Sequence, residues 1–282
     1  MTHHKNIHIE FRGHGENVVF SHGTPTHSGE YHQVTKELQT NFRCVLIDHL
    51  GFGKSPKPND GDYSLASHQA RFRSSLIQND IKSFHLIVHD FGGVIALPLT
   101  YDPHFKVLSL TILNSWYWPL IETEPQIKTQ KFLFHTGLFH FLYRYYNFSP
   151  RVLLKMAWGQ ASPLTKEKHQ HYISQFPSRK HRSGTLGFLN SLFQFDLIEW
   201  QQSNALQKLN IPVQILWGES DKLISARSLN RWKSIFPDAK IKTQKDVGHF
   251  VADEAPEWVA QEIKLFLKSI AQGTTHKSDI QD

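Results

Sequence analysis

Leu86-Ile87-Val88-His89-Asp90-Phe91-Gly92-Gly93 is the stretch that decides the fold. Leu86 to His89 read as the end of a buried strand. Val94-Ile95-Ala96-Leu97-Pro98-Leu99, just beyond, reads as the start of a packed helix. A chain that passes from strand to helix within about two residues needs small residues where backbones nearly touch. Gly92 and Gly93 meet that need. Such a turn lifts one side chain above the sheet, and here it is Asp90. The plainer reading is an N-cap, a place that Asp favours. The rest of the chain bears on the choice.

Outward from that stretch, strand and helix patterns alternate. Asn6 to Gly13 alternates apolar and polar residues as a half-buried strand does. Asn17–Ser21, Phe42–Ile47, Phe84–His89, Val107–Leu113, Val213–Trp217 and Ile241–Gln244 read as further strands. Helical patterns cover Tyr31–Leu38, Ser64–Ile77, Leu223–Ile235 and Glu257–Ile270, and the tail from Gln272 is polar. This alternation predicts an α/β fold, a mostly parallel central sheet flanked by helices. Function in such sheets gathers at the carboxyl ends of strands. His22, Asp48, Asp90, Asn114, Asp221 and His249 each fall just past an expected strand end.

Between Ile121 and Leu206 the alternation stops. Helices are expected over Gln126–Tyr146, Pro150–Trp158, Thr165–Gln175 and Arg179–Phe193. The segment is rich in aromatics, among them Phe132, Phe134, Tyr143, Trp158, Tyr172 and Phe195. The expected organisation is a core of 1–120 and 207–282 with an all-helical cap (lid) inserted at 121–206. Most of the aromatics pack that cap, and some are expected to line an apolar cavity over the strand ends.

Composition limits the partners. The 282 residues suit one large domain or a domain with an insertion. With 39% hydrophobic and 20% charged residues the chain can bury a sizeable core. A net charge of +6 without charge runs describes a mildly basic surface and does not point to nucleic acid. The single cysteine, Cys44, lies in an apolar run, so no disulfide forms within the chain, and a cytoplasmic setting is expected. Met1-Thr2-His3-His4-Lys5 has no apolar signal core. No stretch reaches the roughly 18 apolar residues of a spanning helix, so no stable membrane insertion is expected. His3-His4 and His169-Gln170-His171 lack the acidic or cysteine company of a metal site. Gly53-Lys54-Ser55 would need a glycine where Asp48 stands to be a phosphate loop. No metal or other cofactor is expected. The expected partner is a small apolar substrate, for a monomer or dimer.

Asp90, Asp221 and His249 follow one another as nucleophile, acid and base. A carboxylate is already ionised at neutral pH and gains nothing from a base. Its use is direct attack on an sp³ carbon bearing a leaving group, which gives an alkyl ester on the enzyme. His249 would then act as general base on the water that attacks the ester carbonyl. Asp221 would hold the His249 tautomer. The oxyanion at Asp90 would be met by the backbone N–H groups of Phe91 and Thr24. The His22-Gly23-Thr24-Pro25 turn would aim that second N–H, with Gly23 permitting close approach and Pro25 stiffening the turn.

His22-Gly23-Thr24-Pro25-Thr26, Asp48-His49-Leu50-Gly51-Phe52-Gly53-Lys54-Ser55, Val88-His89-Asp90-Phe91-Gly92-Gly93, Trp217-Gly218-Glu219-Ser220-Asp221 and Gly248-His249-Phe250 are quoted together for a reason. With them the chain resembles haloalkane dehalogenases and their neighbours in the α/β-hydrolase superfamily, over nearly its whole length and most loosely in the cap. The resemblance implies an α/β-hydrolase fold and a cofactor-independent hydrolase. It also implies Asp90 as nucleophile, His249 as base and Asp221 as its acid. Asn114 stands where some dehalogenase subfamilies place the acid, and an amide cannot serve. Two further departures concern the leaving group. Phe91 replaces the usual Trp, and Thr24 an often-used Asn, both donors to a departing halide. Trp116, Trp118 or Trp158 is expected to supply a donor instead. His22, Asn114, Tyr143 and Tyr172 complete the expected pocket. The first edge strand common in the family is expected to be missing. Cleavage of a carbon–halogen bond is the leading expectation. An epoxide hydrolase would need lid tyrosines, with Tyr143, Tyr145, Tyr146 and Tyr172 as candidates. A β-lactone-cleaving relative is a third reading. A non-catalytic ligand-binding homologue would be favoured by a lost triad member, and none is lost.

Overall fold

A computed structural model describes residues 6–128, 136–193 and 203–278. Its seven strands are β1 (Ile9–Arg12), β2 (Glu16–Ser21), β3 (Phe42–Ile47), β4 (Ser83–Asp90), β5 (Lys106–Ser115), β6 (Val213–Gly218) and β7 (Lys240–Gln244). They form one sheet in the order β1-β3-β2-β4-β5-β6-β7. Only the edge strand β1 runs antiparallel, against β3.

The central strands are apolar runs because both faces of the sheet are covered. Along β4 successive residues enter opposite cores, as period-two side chains must. Leu86 and Val88 join a core with Val19, Val45 and Ile112, covered by α2 (Leu65–Gln78) and α3 (Phe91–Ala96). Ile87 joins Val18, Phe20 and Leu46 beneath α1 (His32–Leu38) and the closing helix Pro256–Ser278. Cys44 lies in this second core, where burial pushes its thiol pKa up to about 12.

Outside the segment between β5 and β6, three helices depart from the expected spans. α3 begins at Phe91, earlier than Val94, and after Ala96 the chain tightens into a 3₁₀ turn over Leu97–Tyr101. Pro98 has no N–H to continue the α-helical ladder. The helix expected from Leu223 starts only at Ala226, after its Ser225 cap, because Leu223 and Ile224 give their N–H groups to Asp221. The closing helix runs on to Ser278, past the expected end at Ile270.

Between β5 and β6 the described residues form helices and loops and contain no strand. The main helices are Lys166–Ser174, capped by Thr165, and Ser183–Phe193. The long helix expected over Gln126–Tyr146 is not continuous: a new one begins at Leu138, after Gly137 with φ +78°, and the next helical segment ends at Asn147 with φ +56°. Phe132, Phe134 and Phe195 lie outside the described residues. Among the described residues no helix is long and apolar enough to cross a membrane.

Candidate active site

Asp90 ends β4 with φ +50° and ψ −129°, a conformation that a residue with a side chain adopts only when its surroundings impose it. Two glycines make room for it. A Cβ on Gly92 would lie 2.1 Å from the Ser21 carbonyl oxygen, and one on Gly23 would lie 2.1 Å from an Asp90 carboxylate oxygen. The turn after β2 and the elbow after β4 therefore touch through backbone. The closeness lets Thr24 N–H donate to Asp90 Oδ2 at 2.8 Å. Asp90 takes no cap role: its side chain accepts nothing from its own helix. Ser115 Oγ–H donates to the Asp90 carbonyl at 2.7 Å and pins the elbow to β5.

The base approaches from the other side. His249 Nδ1–H donates to Asp221 Oδ2 at 2.7 Å, and its Nε2 stands 3.5 Å from Asp90 Oδ1. That second contact is an ion pair rather than a hydrogen bond, and Nε2 has no hydrogen-bond partner among the described residues. Asp221 is oriented by four donors: His249, the N–H groups of Leu223 and Ile224, and Asn114 Nδ2 at 2.7 Å. Burial opposes charge on His249, yet Asp221 and Asp90 outweigh it and hold its pKa well above the ordinary value. Burial likewise opposes the Asp90 carboxylate, yet His249 and Thr24 N–H keep its pKa below the ordinary value.

Asp90 lies at the wall of a cavity of about 160 Å³ that Phe91, Trp116, Tyr143, Leu189 and Phe250 make largely apolar. A carboxylate, an imidazole nitrogen 3.5 Å from it and a largely apolar wall are the groups that displacement of a leaving group and hydrolysis of the resulting ester would need.

A model of the α/β-hydrolase fold matches residues 16–256. The chain belongs to the α/β-hydrolase fold family. Within it, the chain is 27% identical over 270 residues to a cis-3-alkyl-4-alkyloxetan-2-one decarboxylase of Shewanella oneidensis, covering 93% of this chain and 85% of that one. It is 22% identical over 260 residues to haloalkane dehalogenase 2 of Mycobacterium tuberculosis, covering 91% and 90%. Among solved structures, haloalkane dehalogenase DbeA of Bradyrhizobium elkani superposes with a TM-score of 0.84 at 18% identity, over 94% of each chain, a likeness of fold. The expected dehalogenase-like α/β-hydrolase is met at the level of family and fold.

Two of the seven residues expected in the pocket of this α/β-hydrolase, Trp116 and Tyr143, line the cavity. Trp118 does not: its N–H goes to Thr123 Oγ1 and its ring packs on Trp232. Trp158 does not either, since its N–H goes to the Ser162 carbonyl and its ring packs on Phe250. Tyr172 donates its hydroxyl to Asp253 and lines a second pocket with His27 rather than the cavity at Asp90. Tyr145 and Tyr146 are more than half exposed. His22 is a brace rather than a wall: Nδ1–H donates to the Gly23 carbonyl at 2.7 Å, and Nε2 accepts from His49 N–H at 3.0 Å. Asn114 sits beneath the acid, bridging Asp221 and both backbone groups of Gly218. Asp48 holds loops, accepting from the N–H groups of Ser28 and Lys54.

Two buried acids at the site, Glu254 and Glu30, escaped the sequence reading. Glu254 accepts from the N–H groups of Gly159, Gly248 and Phe250, fastening the His249 loop to the segment between β5 and β6. Its signal was a Glu in the first helical turn after His249, where it reaches back to the Phe250 N–H at the start of that turn. Glu30 pairs with His89, and nothing near Glu30 in sequence marks it. Among the described residues no group of three or more His, Cys, Asp or Glu is placed to hold a metal.

Proposed function

We propose that this hydrolase cleaves the bond between an sp³ carbon and a leaving group in a small apolar substrate, and that a carbon–halogen bond is the one it takes. The setting of Asp90 carries this reading. A carboxylate, not a hydroxyl, stands at the elbow, and the base beside it is not needed for its attack. Asp90 attacks carbon, the bonding pair leaves with the halide, and an alkyl ester forms. His249 then takes a proton from water, which adds to the ester carbonyl. Thr24 N–H and Phe91 N–H hold the oxyanion, and Asp221 stabilises the imidazolium. Collapse breaks the bond to the alkoxy oxygen, which takes the His249 proton and leaves as the alcohol, while Asp90 loses its proton to solvent. Residues 121–206 serve as the cap over a core of 1–120 and 207–282. The unpaired Cys44 suits a cytoplasmic setting.

The test is His249→Gln incubated with a bromoalkane and weighed intact. The expected result is a stable adduct of the alkyl mass, absent when Asp90 is also changed to Asn. An untouched substrate and an unchanged mass would remove Asp90 from the mechanism.

A second reading has specific support. Phe91 stacks on Phe188 at 4.6 Å and offers no donor where dehalogenases carry Trp, and oxetan-2-one decarboxylases are among the relatives. Asp90 would attack the ring carbon that bears the lactone oxygen, and that oxygen would leave as a tethered carboxylate. Loss of CO₂ would then form the alkene from the freed electron pair and expel Asp90 unchanged. This route consumes no water. Turnover in ¹⁸O-water separates the two: halide cleavage labels Asp90, and decarboxylation yields alkene and leaves Asp90 unlabelled. The epoxide reading keeps one candidate donor at the cavity, Tyr143.

A further inference from the structure

We propose that Glu30 and His89 form a buried ion pair that positions the His249 loop and keeps His249 free to act as a base after Asp90 has been esterified. The inference rests on the role proposed for His249. His89 immediately precedes Asp90 on β4, and Glu30 lies in the 3₁₀ turn Ser28–Tyr31, just after the turn that supplies Thr24 N–H. Both side chains are 1% exposed. His89 Nδ1 lies 3.1 and 3.2 Å from the two Glu30 oxygens, and His89 Nε2 lies 2.8 Å from the His249 carbonyl. A carbonyl only accepts, so Nε2 carries a proton. A carboxylate at Nδ1 requires a proton there as well, which makes the ring an imidazolium. Burial opposes that charge on His89, and Glu30 outweighs it and raises the pKa. Burial also opposes charge on Glu30, and His89 outweighs it and lowers the pKa. The alternative is a neutral pair in which Glu30 donates to Nδ1.

The pair joins the three parts of the site: the oxyanion turn, the nucleophile strand and the base loop. Its charge order matters too. The His89 and His249 rings are 4.9 Å apart, and Glu30 lies on the side of His89 away from the His249 carbonyl. The positive end of the pair faces the base and disfavours a second proton there. In the resting site Asp90 and Asp221 both favour protonated His249. Esterification removes the Asp90 charge, and the His89 charge then helps keep the base unprotonated. The other titratable groups facing these residues are His22, His27, Tyr31, Tyr172, Asp253 and Glu254.

Asp90→Asn stands in for the neutral ester, so the test needs no substrate. Imidazole resonances of His89 and His249 are followed by NMR from pH 5 to 9 in Asp90→Asn, assigned with His89→Gln and His249→Gln. The expected result is His89 with both ring protons at pH 8. Adding Glu30→Gln removes the carboxylate that keeps His89 charged against its burial, so His89 becomes neutral and the His249 pKa should rise by about one unit; adding His89→Gln, which keeps an amide donor without the charge, should raise it likewise. A His89 with one ring proton at pH 8 would overturn the proposal. So would a His249 pKa unmoved in both double variants while their melting temperatures fall, the mark of a purely structural role. If Glu30→Gln does not fold, the proton count on His89 decides. Because no step involves turnover, a failed activity assay and a failed ion pair are told apart.

Discussion

Trp116→Phe is the change that isolates leaving-group assistance. Trp116 is 2% exposed, lines the cavity beside Asp90 and packs edge-on against Phe91 at 4.9 Å. Its indole N–H has no acceptor among the described residues, whereas those of Trp118 and Trp158 are bonded elsewhere. Phenylalanine keeps a ring at the cavity wall and deletes the donor. A hydrogen bond to a charged group is worth about 1.5–3 kcal/mol. If it forms only as the halide departs, its loss slows alkylation about ten- to 150-fold. Stability should move little, because two effects oppose each other. An unpaired buried donor costs about 1–3 kcal/mol and is removed. The smaller ring leaves a cavity whose cost falls in the same range of about 1–3 kcal/mol. The assay is the rate of adduct formation in a His249→Gln background, which reads alkylation alone, beside a urea melt. Alkylation within twofold of the parent would refute the assignment of Trp116 to the leaving group. A loss of rate with a matching collapse in stability would refute the opposing-terms argument.

Phe91→Trp should restore the missing donor and raise halide release about tenfold, at a cost of about 1–3 kcal/mol from crowding against Phe188; unchanged release would turn the choice towards the oxetan-2-one reading. Asn114→Ala should lower kcat about tenfold by loosening Asp221, and destabilise by about 1–3 kcal/mol because Gly218 N–H loses its acceptor; full activity would show that the other donors to Asp221 suffice. The pH dependence should differ between the two half-reactions. Alkylation in His249→Gln needs only an ionised Asp90. Losing His249 removes the main group that lowers the Asp90 pKa and leaves burial less opposed, so alkylation should stay level on the alkaline side and fall only where Asp90 takes up a proton. Turnover of the parent needs unprotonated His249 and should fall on the acid side first; identical profiles would mean that no base acts in the second step.

The sheet and the elbow were legible because their signals are local. β4 is an apolar run ending in an acid, a bulky residue and two glycines, and the packing of Gly92 against Ser21 is the reason the glycines are there. Strand ends were legible in the same way. A central strand stops being apolar where it leaves the core, so His22, Asp90, Asn114 and Asp221 could be placed at one edge of the sheet. Asp90, Asp221 and His249, which the structure brings together, then follow in that order along the chain.

Side-chain direction was not legible, and the pocket shows why. Trp116 and Trp118 are two positions apart, yet one lines the cavity and the other turns to Thr123 and Trp232. Nothing in Trp116-Tyr117-Trp118 fixes that choice; it depends on Thr123 and on a helix more than a hundred residues downstream. Tyr172 was drawn away from Asp90 by Asp253 for the same reason. Glu30 is the extreme case. It lies 59 residues from His89, and its partner's other nitrogen reaches a carbonyl 160 residues further on. A buried acid in a polar turn carries no local mark. Its meaning comes only from a fold that brings the oxyanion turn, the nucleophile strand and the base loop to one point. The residues that perform the proposed chemistry could be found by pattern, because each follows a strand. Glu30 and His89, the pair proposed to bias the protonation of that base, are marked only by contacts between residues far apart in the chain.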